Sequence, residues 1–282
     1  MNNNNINSNE KLIDLKKVFK NSKSNLLRNI PGFIINIMRY TIRENIINSF
    51  IINHKEDKGL DFIQEALKYL NVKINIIGEE KLQQNVNKRF IFIANHPLGA
   101  VDGFAIYALV GKYFPNIKAV VNELLTRVEN VKELFIPVDS FGGSQKEYID
   151  NLNKIFESEI AIFIFPSGEV ARKYNGEIKE LHWQKTFITR AVKHNRDIFP
   201  IYVHASNSRL FYFIAKIRRV LKIKANIELF LLPREMFKAK NKEITLILGD
   251  PVPYQTFTAE KNSKQWAEYM REHVYNLKKT IK

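Results

Sequence analysis

The chain has 282 residues, which is long enough for one large α/β domain with a substantial buried core. It contains no cysteine, which excludes a disulfide framework, a thiolate nucleophile and cysteine-ligated metal centres. The formal net charge of +15 predicts an acidic partner: nucleic acid, an anionic membrane surface or a phosphate-bearing substrate.

The N-terminal part of the chain is predicted to be helical. Residues 1–9 are rich in asparagine and are expected to be disordered, and residues 10–70 are predicted to form a helical segment. Apolar residues recur at intervals of three and four from Leu26 to Ile52, which predicts one helix, and a second is predicted from Leu60 to Leu70. The longer apolar stripe is expected to face the core, with a membrane anchor as the alternative.

Residues 71–282 are predicted to form an α/β domain. Short apolar, β-branched runs alternate there with helical windows, which is typical of a mostly parallel sheet of about seven strands covered by helices. The predicted strands are Val72–Ile77, Phe90–Ala94, Ile117–Val121, Leu134–Val138, Ile160–Phe165, Ile198–Val203 and Ile244–Leu248. A last helix is predicted after Ala259, packed back on the body.

Membrane contact is expected to be peripheral. No uninterrupted apolar run approaches the ~18 residues that span a bilayer, and no signal-peptide pattern is present. We therefore predict a cytoplasmic protein associated with the inner face of the membrane.

The stretch "NHPLGAVDG" follows the predicted strand Phe90–Ala94, and sites in open α/β sheets form beyond such carboxyl ends. A histidine can take a proton from a hydroxyl if its other ring nitrogen donates to a carboxylate. We predict His96 as this base and Asp102 as its partner. Because the chain has no cysteine and no G-x-S-x-G pattern, the activated hydroxyl is expected to be the substrate's own, which favours direct acyl transfer.

Two further loops follow predicted strands. "FPSGEVARK", residues 165–173, contains a turn at Ser167, Gly168 and Glu169 whose backbone N–H groups are predicted to stabilise an oxyanion. "FPIYVHASNSR", residues 199–209, passes from a strand into a polar turn. The histidines show no metal-ligand spacing, and no metal is expected.

These stretches resemble the motifs of the glycerophospholipid (lysophosphatidate-type) acyltransferase superfamily. "NHPLGAVDG" is similar to its first motif, "FPSGEVARK" to its third and "FPIYVHASNSR" to its fourth; "LFIPVDSFGG" at 134–143 stands in the place of the second, and "ILGDPVPY" at 247–254 is similar to the closing strand. The resemblance is strongest to the bacterial branch of haemolysin-like proteins and ornithine- or glycine-lipid O-acyltransferases.

The resemblance implies a membrane-lipid enzyme. It would move a fatty acyl group from acyl carrier protein or coenzyme A to the hydroxyl of a lysolipid, either a lyso-amino-acid lipid or a lysophospholipid, with no further cofactor. His96 and Asp102 would be catalytic. The implied substrate-binding residues are Asn95, Gly99, Ser167, Gly168, Glu169, Arg172 and Arg209.

The sequence departs from the family motifs in three places. His96 and Asp102 are separated by five residues instead of four, so the turn between them must bulge. Ser167 occupies the acidic position of the third motif, and its arginine is displaced to Arg172. The second motif has Asp139 near the place of its usual arginine. These departures favour an uncharged or zwitterionic acceptor over lysophosphatidate.

Residues 207–227 contain six lysines and arginines and no acidic residue, around the apolar run Leu210–Ala215. This composition favours an anionic lipid interface over nucleic acid, although an acidic carrier protein fits the same charge. The alternatives are a non-catalytic membrane- or carrier-binding protein and a nucleic-acid-binding protein. Three of the implied substrate-binding residues also have a structural interpretation. Glu169 could cap a following helix, Arg172 could belong to a solvated basic face, and Arg209 could be the first residue of a helix.

Overall fold

The structure is a computed structural model and describes residues 13–21, 28–122, 125–126, 128–137, 145–223 and 226–280. The predicted disordered residues 1–9 lie outside this part of the chain.

A seven-stranded sheet forms the centre of the molecule, as predicted, and each of its strands lies within a residue or two of a predicted one. The strands are β1 (Lys73–Ile77), β2 (Phe90–Ala94), β3 (Ile117–Val121), β4 (Phe135–Pro137), β5 (Ala161–Ile164), β8 (Asp197–His204) and β9 (Glu243–Leu248). Their order is β1-β9-β8-β2-β5-β3-β4, and every neighbouring pair is parallel except β8 and β9. The carboxyl ends of β2, β5 and β8 therefore meet at one edge of the sheet.

Helices cover both faces of the sheet. The helices are α1 (Leu15–Lys20), α2 (Gly32–Thr41), α3 (Glu44–Asn53), α4 (Gly59–Leu70), α5 (Glu80–Gln83), α6 (Ala100–Val110), α7 (Gln145–Glu157), α8 (Thr186–Lys193), α9 (Arg209–Val220), α10 (Leu232–Lys238) and α11 (Ser263–Asn276). Phe90 and Phe92 of β2 point into the core that contains α4 and α6, and Ile91 and Ile93 point into the core that contains α8 and α11. This alternation follows from the two-residue period of a strand.

The predicted helix from Leu26 to Ile52 is wrong as one unit, because the chain breaks between α2 and α3. Arg43 at this break has a φ of 58°, in the left-handed region. A tertiary contact accounts for this break. The buried carboxylate of Glu44 accepts hydrogen bonds from the Leu15 N–H and from Arg39, so α1 packs against the bend between α2 and α3.

The apolar stripe of this segment divides between core and solvent. Phe50 on α3 packs against the main core, in agreement with the expectation for the stripe. In α2, by contrast, no residue is buried, and Phe33, Ile37 and Tyr40 are exposed. Among the described residues no helix combines the length and the hydropathy needed to cross a bilayer.

A two-stranded antiparallel hairpin, β6 (Arg172–Tyr174) and β7 (Glu177–Lys179), follows β5 and was missed by the sequence prediction. Its turn is Asn175-Gly176, with φ values of 49° and 90°. Both residues are of the types that tight hairpin turns need at such backbone angles.

Arg196 links the amino end of the sheet to α7 and should be a major determinant of stability. Its guanidinium is fully buried and donates to the carbonyls of Phe156, Ile160 and Ser158, among others. Burial lowers its pKa to about 10, so it stays protonated at neutral pH. Arg196→Met would remove the guanidinium donor from these carbonyls, of which that of Phe156 is buried. We expect a loss of about 3 kcal/mol in the free energy of unfolding, measured by urea denaturation. Arg89→Met, which removes a more exposed guanidinium beside it, should cost less than about 1 kcal/mol.

Candidate active site

The loop after β2 forms a closed turn that brings Asp102 back toward His96. Gly99 has a φ of 101°, a conformation that L side chains rarely adopt, and it immediately precedes α6. Asp102 lies in the first turn of α6, and its Oδ2 accepts hydrogen bonds from the N–H groups of Leu98 (2.8 Å) and Gly99 (3.4 Å). The extra residue of the motif is therefore accommodated by the glycine, and the side chain of Asp102 closes the turn.

The predicted contact between His96 and Asp102 is present. Nδ1 of His96 lies 3.1 Å from Oδ1 of Asp102, and the carboxylate is fully buried while 17% of the imidazole is exposed. Oδ1 also accepts from the Gly103 N–H at 2.9 Å. The His96 ring stacks on Phe165, with 3.7 Å between ring centroids and an angle of 23° between the planes. With Nδ1 close to Asp102, although not in hydrogen-bond geometry, Nε2 is the ring nitrogen left for a substrate.

The backbone of His96 is held on both sides by the segment that follows β5. The His96 N–H donates to Oε1 of Glu180 at 2.6 Å, and the His96 carbonyl accepts from the Ala171 N–H at 2.7 Å. Glu180 is buried, and its other carboxylate oxygen accepts from the hydroxyl of Tyr275 in α11. The sequence prediction did not include Glu180 or Tyr275.

Asn95 has a different role from the predicted one. Its amide oxygen accepts from the Val203 N–H at 2.7 Å, and its amide nitrogen donates to the Val203 carbonyl at 3.0 Å. Both polar atoms of the buried side chain are thus bonded to β8. We correct its assignment from substrate binding to support of the turn that carries His96.

The turn at Ser167, Gly168 and Glu169 is bonded within itself. The Gly168 N–H donates to the Phe165 carbonyl at 3.0 Å, and the Glu169 N–H donates to Oγ of Ser167 at 3.2 Å. These two N–H groups are not available for an oxyanion in this conformation, contrary to the sequence prediction. Glu169 is exposed, and no helix follows it, so its alternative role as a helix cap is also wrong.

Arg172 is buried in an ion cluster instead of lying at an open substrate site. Its guanidinium contacts Oε1 of Glu228 at 2.8 Å, and Arg218 of α9 contacts the other oxygen at 3.0 Å. Glu228 is fully buried. Arg172 therefore has a structural role, because it joins β6 to α9 and to residues 227–231. It lies neither at an open acceptor site nor on a solvated basic face, the two roles that the sequence predicted.

Arg209 lies in a cationic groove between the β6–β7 hairpin and α9. The groove has a volume of about 540 Å³, and Lys173, Arg209, Lys216 and Arg219 line it without a carboxylate. The Arg219 guanidinium stacks on Tyr174, 4.3 Å from the ring centroid. Arg209 is also the first residue of α9, so its predicted helix-start position is confirmed, and Ser208 caps the helix.

The fourth motif contacts the turn that carries His96 through Asn207. Its amide nitrogen donates to the Pro97 carbonyl at 2.9 Å, and its backbone N–H donates to the Tyr212 hydroxyl at 3.0 Å. A second groove, of about 1140 Å³, borders the turn at Asn95, Pro97 and Leu98. The second motif, including Asp139, lies outside the described residues from position 138 onward.

No cluster of side chains in the described part of the chain could hold a metal ion. The loops assemble an imidazole next to a buried carboxylate at the carboxyl edge of an α/β sheet, and the larger groove borders the residues on either side of His96. This arrangement suits an enzyme that removes a proton from a substrate hydroxyl, as O-acyl transfer requires.

Comparison with known proteins identifies the family. The Acyltransferase family matches residues 17–282, and the chain belongs to this family. It is 34% identical over 267 residues to a lyso-glycine lipid O-acyltransferase of Phocaeicola vulgatus. The match covers 94% of this chain and 95% of that protein. It is 33% identical over 267 residues to a lyso-glycine lipid O-acyltransferase of Bacteroides thetaiotaomicron, covering 94% of this chain and 97% of that one. The protein is thus an O-acyltransferase.

Among solved structures, the chain is similar to the 1-acyl-sn-glycerophosphate acyltransferase PlsC of Thermotoga maritima. The TM-score is 0.48 and the identity 19%, and the match covers 78% of each chain.

Proposed function

We propose that the protein transfers a fatty acyl group from a thioester donor, acyl carrier protein or coenzyme A, to the hydroxyl of a lyso-amino-acid lipid of the glycine type. The observation that carries the proposal is the His96–Asp102 pair, with Nδ1 and Oδ1 at 3.1 Å on the open edge of the sheet. The names of the two relatives supply the acceptor class. Family membership favours this function over the non-catalytic and nucleic-acid alternatives.

In the proposed mechanism, Nε2 of His96 accepts the proton of the acceptor hydroxyl as its oxygen attacks the thioester carbonyl. The tetrahedral intermediate collapses with cleavage of the carbon–sulfur bond, and the imidazolium returns the proton to the leaving thiolate. The buried carboxylate of Asp102 stabilises the imidazolium and fixes the ring, because the charged pair attracts more strongly away from water. The ester and the free thiol are the products.

The cationic groove offers a place for the acceptor headgroup. A glycine linked through its amine keeps a free carboxylate, so this acceptor is anionic, in contrast to the uncharged or zwitterionic acceptor that the motif departures favour. Arginine and lysine side chains bind carboxylates by charge-assisted hydrogen bonds. Four cations line the groove without an acidic neighbour, and Tyr212 at its floor connects through Asn207 to the catalytic turn. A phosphate headgroup would also be attracted there, so lysophospholipid remains the second acceptor class.

We also propose that the protein binds the inner face of the membrane peripherally. The outer side of α9 exposes Phe213, Val220 and neighbouring apolar residues between its cations. A helix of this kind binds an anionic interface by burying its apolar side chains and placing its cations at the headgroups.

Val220→Ser should weaken binding to vesicles that contain anionic lipid by about five- to tenfold, since about 1–1.5 kcal/mol of apolar burial is lost. The fraction of protein that sediments with the vesicles measures this binding. Val192→Ser on α8 changes an exposed valine elsewhere and should leave binding unchanged. Equal binding of all three proteins would contradict the proposed contact through α9.

Mass spectrometry of lipids tests the proposed function in cells. Loss of the protein should raise the lyso-glycine lipid and deplete its O-acylated product, and wild-type protein should restore both. Depletion of phosphatidate with glycine lipids unchanged would identify the phospholipid class as the acceptor. Unchanged lipids of both classes would contradict the proposal.

A further inference from the structure

Glu180 is a buried carboxylate that contacts the catalytic histidine through the backbone. It follows the β6–β7 hairpin, and its Oε1 accepts the His96 N–H at 2.6 Å. The peptide unit that carries His96 is thereby fixed just before the side chain that must face both Asp102 and the substrate. Ala171 fixes the next peptide unit from the same direction, through the His96 carbonyl.

Glu180 is itself held by α11. The Tyr275 hydroxyl donates to Oε2 of Glu180, the Glu180 N–H donates to the Tyr275 oxygen at 3.2 Å, and Arg271 donates to the Glu180 carbonyl at 3.2 Å. Burial, together with the neighbouring Glu180, raises the pKa of Tyr275, so the phenol keeps the proton that it donates. The Tyr275 ring packs on Tyr202 of β8, which anchors the phenol to the sheet.

We propose that Glu180 is a positioning residue for acyl transfer, held by Tyr275, that keeps the His96 imidazole in line with Asp102 and the substrate. Neither residue takes part in proton transfer. The inference rests on His96 being the base of the proposed function. It extends that function by assigning a part in aligning the base to α11, whose Tyr275 is 179 residues from His96 in sequence.

The geometry explains why a carboxylate is suited to this place. One oxygen faces an N–H and the other faces a phenol, so both oxygens act as acceptors. Glutamine preserves one acceptor for the His96 N–H and places a donor opposite the Tyr275 oxygen, which can accept. Alanine leaves the His96 N–H and the hydroxyl proton of Tyr275 without an acceptor, and the loop that carries His96 is then free to shift. Displacements of about 1 Å at a reacting group cost up to about 10²-fold in rate.

The test is the steady-state kinetics of purified variants with a lyso-glycine lipid acceptor. Glu180→Ala should lower kcat about 30-fold with the KM for the acceptor changed less than about threefold, and Glu180→Gln should recover kcat to within about fivefold of wild type. Tyr275→Phe should lower kcat about fivefold. Tyr269→Phe, on the same helix but packed on Trp266 and His273, is the matched control and should leave kcat unchanged.

A double-mutant cycle separates positioning from general loosening of the fold. If Tyr275 acts through Glu180, Tyr275→Phe should change kcat less than about twofold in the Glu180→Ala background. An equal effect of Tyr275→Phe in both backgrounds would overturn the inference. So would a Glu180→Gln variant as slow as Glu180→Ala, since the carboxylate charge would then be what matters.

The following outcomes distinguish a failure of this inference from a failure of the proposed function. If Glu180→Ala does not fold, the comparison of wild type, Glu180→Gln and Tyr275→Phe decides, and unchanged kcat in Tyr275→Phe overturns the role of α11. If His96→Ala is inactive while Glu180→Ala has full activity, the positioning role fails and the proposed function stands. If His96→Ala is itself active, the base has been wrongly assigned and the inference fails with it.

Discussion

His96→Ala should lower kcat for acyl transfer by about 10³-fold, because it removes the imidazole that faces Asp102 and that we assign as the base for the acceptor hydroxyl. The rate is measured as release of free thiol from the thioester donor in the presence of a lysolipid. The fold should be retained, since the ring is partly exposed and its backbone hydrogen bonds to Glu180 and Ala171 do not depend on the side chain.

The chain contains a matched control for this experiment. His54 and Asp57 form a second histidine–aspartate pair, with 2.7 Å between Nδ1 and Oδ2, at the end of α3. His54→Ala removes an imidazole with the same kind of partner and should leave kcat within about threefold of wild type. A His96→Ala enzyme within tenfold of wild type would contradict the assigned base.

Asp102→Asn should lower kcat by about 10²-fold and should also reduce stability. The two oxygens of Asp102 accept N–H groups of Leu98, Gly99 and Gly103, and one of them also faces His96. Asparagine has one amide oxygen, so its NH₂ group must face either backbone N–H donors or the imidazole. The imidazolium loses its counter-charge in both orientations.

The fall in kcat for Asp102→Asn should be larger than the fall that partial unfolding of the variant would cause. Kinetics are therefore measured well below the unfolding temperature of the variant, with Asp57→Asn as the matched control. We expect wild-type kcat for Asp57→Asn. Wild-type kcat for Asp102→Asn under these conditions would show that the carboxylate only closes the turn.

The central sheet was predictable because its inner strands β2, β5 and β8 are buried on both faces. A run such as Phe90–Ala94 is wholly apolar, and it is bounded by a polar turn at each end, which is the pattern of an interior parallel strand. The hairpin at 172–179 was missed because its strands are short and carry charges on the exposed side. Its Asn175-Gly176 turn was a usable signal.

The helix break at Arg43 could not be predicted from periodicity. The apolar spacing continues through the break, and what ends α2 is the contact of Glu44 with Leu15 and Arg39. A buried carboxylate of this kind is indistinguishable in sequence from a surface one.

The contact between His96 and Asp102 was predicted from the sequence, but the side chains that hold this turn in place were not. His96 and Asp102 follow from a motif within a single loop, so local spacing was sufficient to identify them. Asn95 and Arg172 belong to motifs as well, yet their side chains bond to Val203 and Glu228, which are 108 and 56 residues away. Glu180 carries no local signal, since its partners lie in the turn after β2 and on α11.

The most direct measurement is the product formed by the purified protein. Wild-type protein incubated with a lyso-glycine lipid and an acyl thioester, in parallel with coenzyme A and acyl carrier protein as carriers, should yield the O-acylated lipid and an equal amount of free thiol, seen by mass spectrometry. His96→Ala should yield neither above background, and His54→Ala should yield both. Formation of the O-acylated lipid by His96→Ala at the wild-type rate, or no product from wild type with either carrier, would contradict the account.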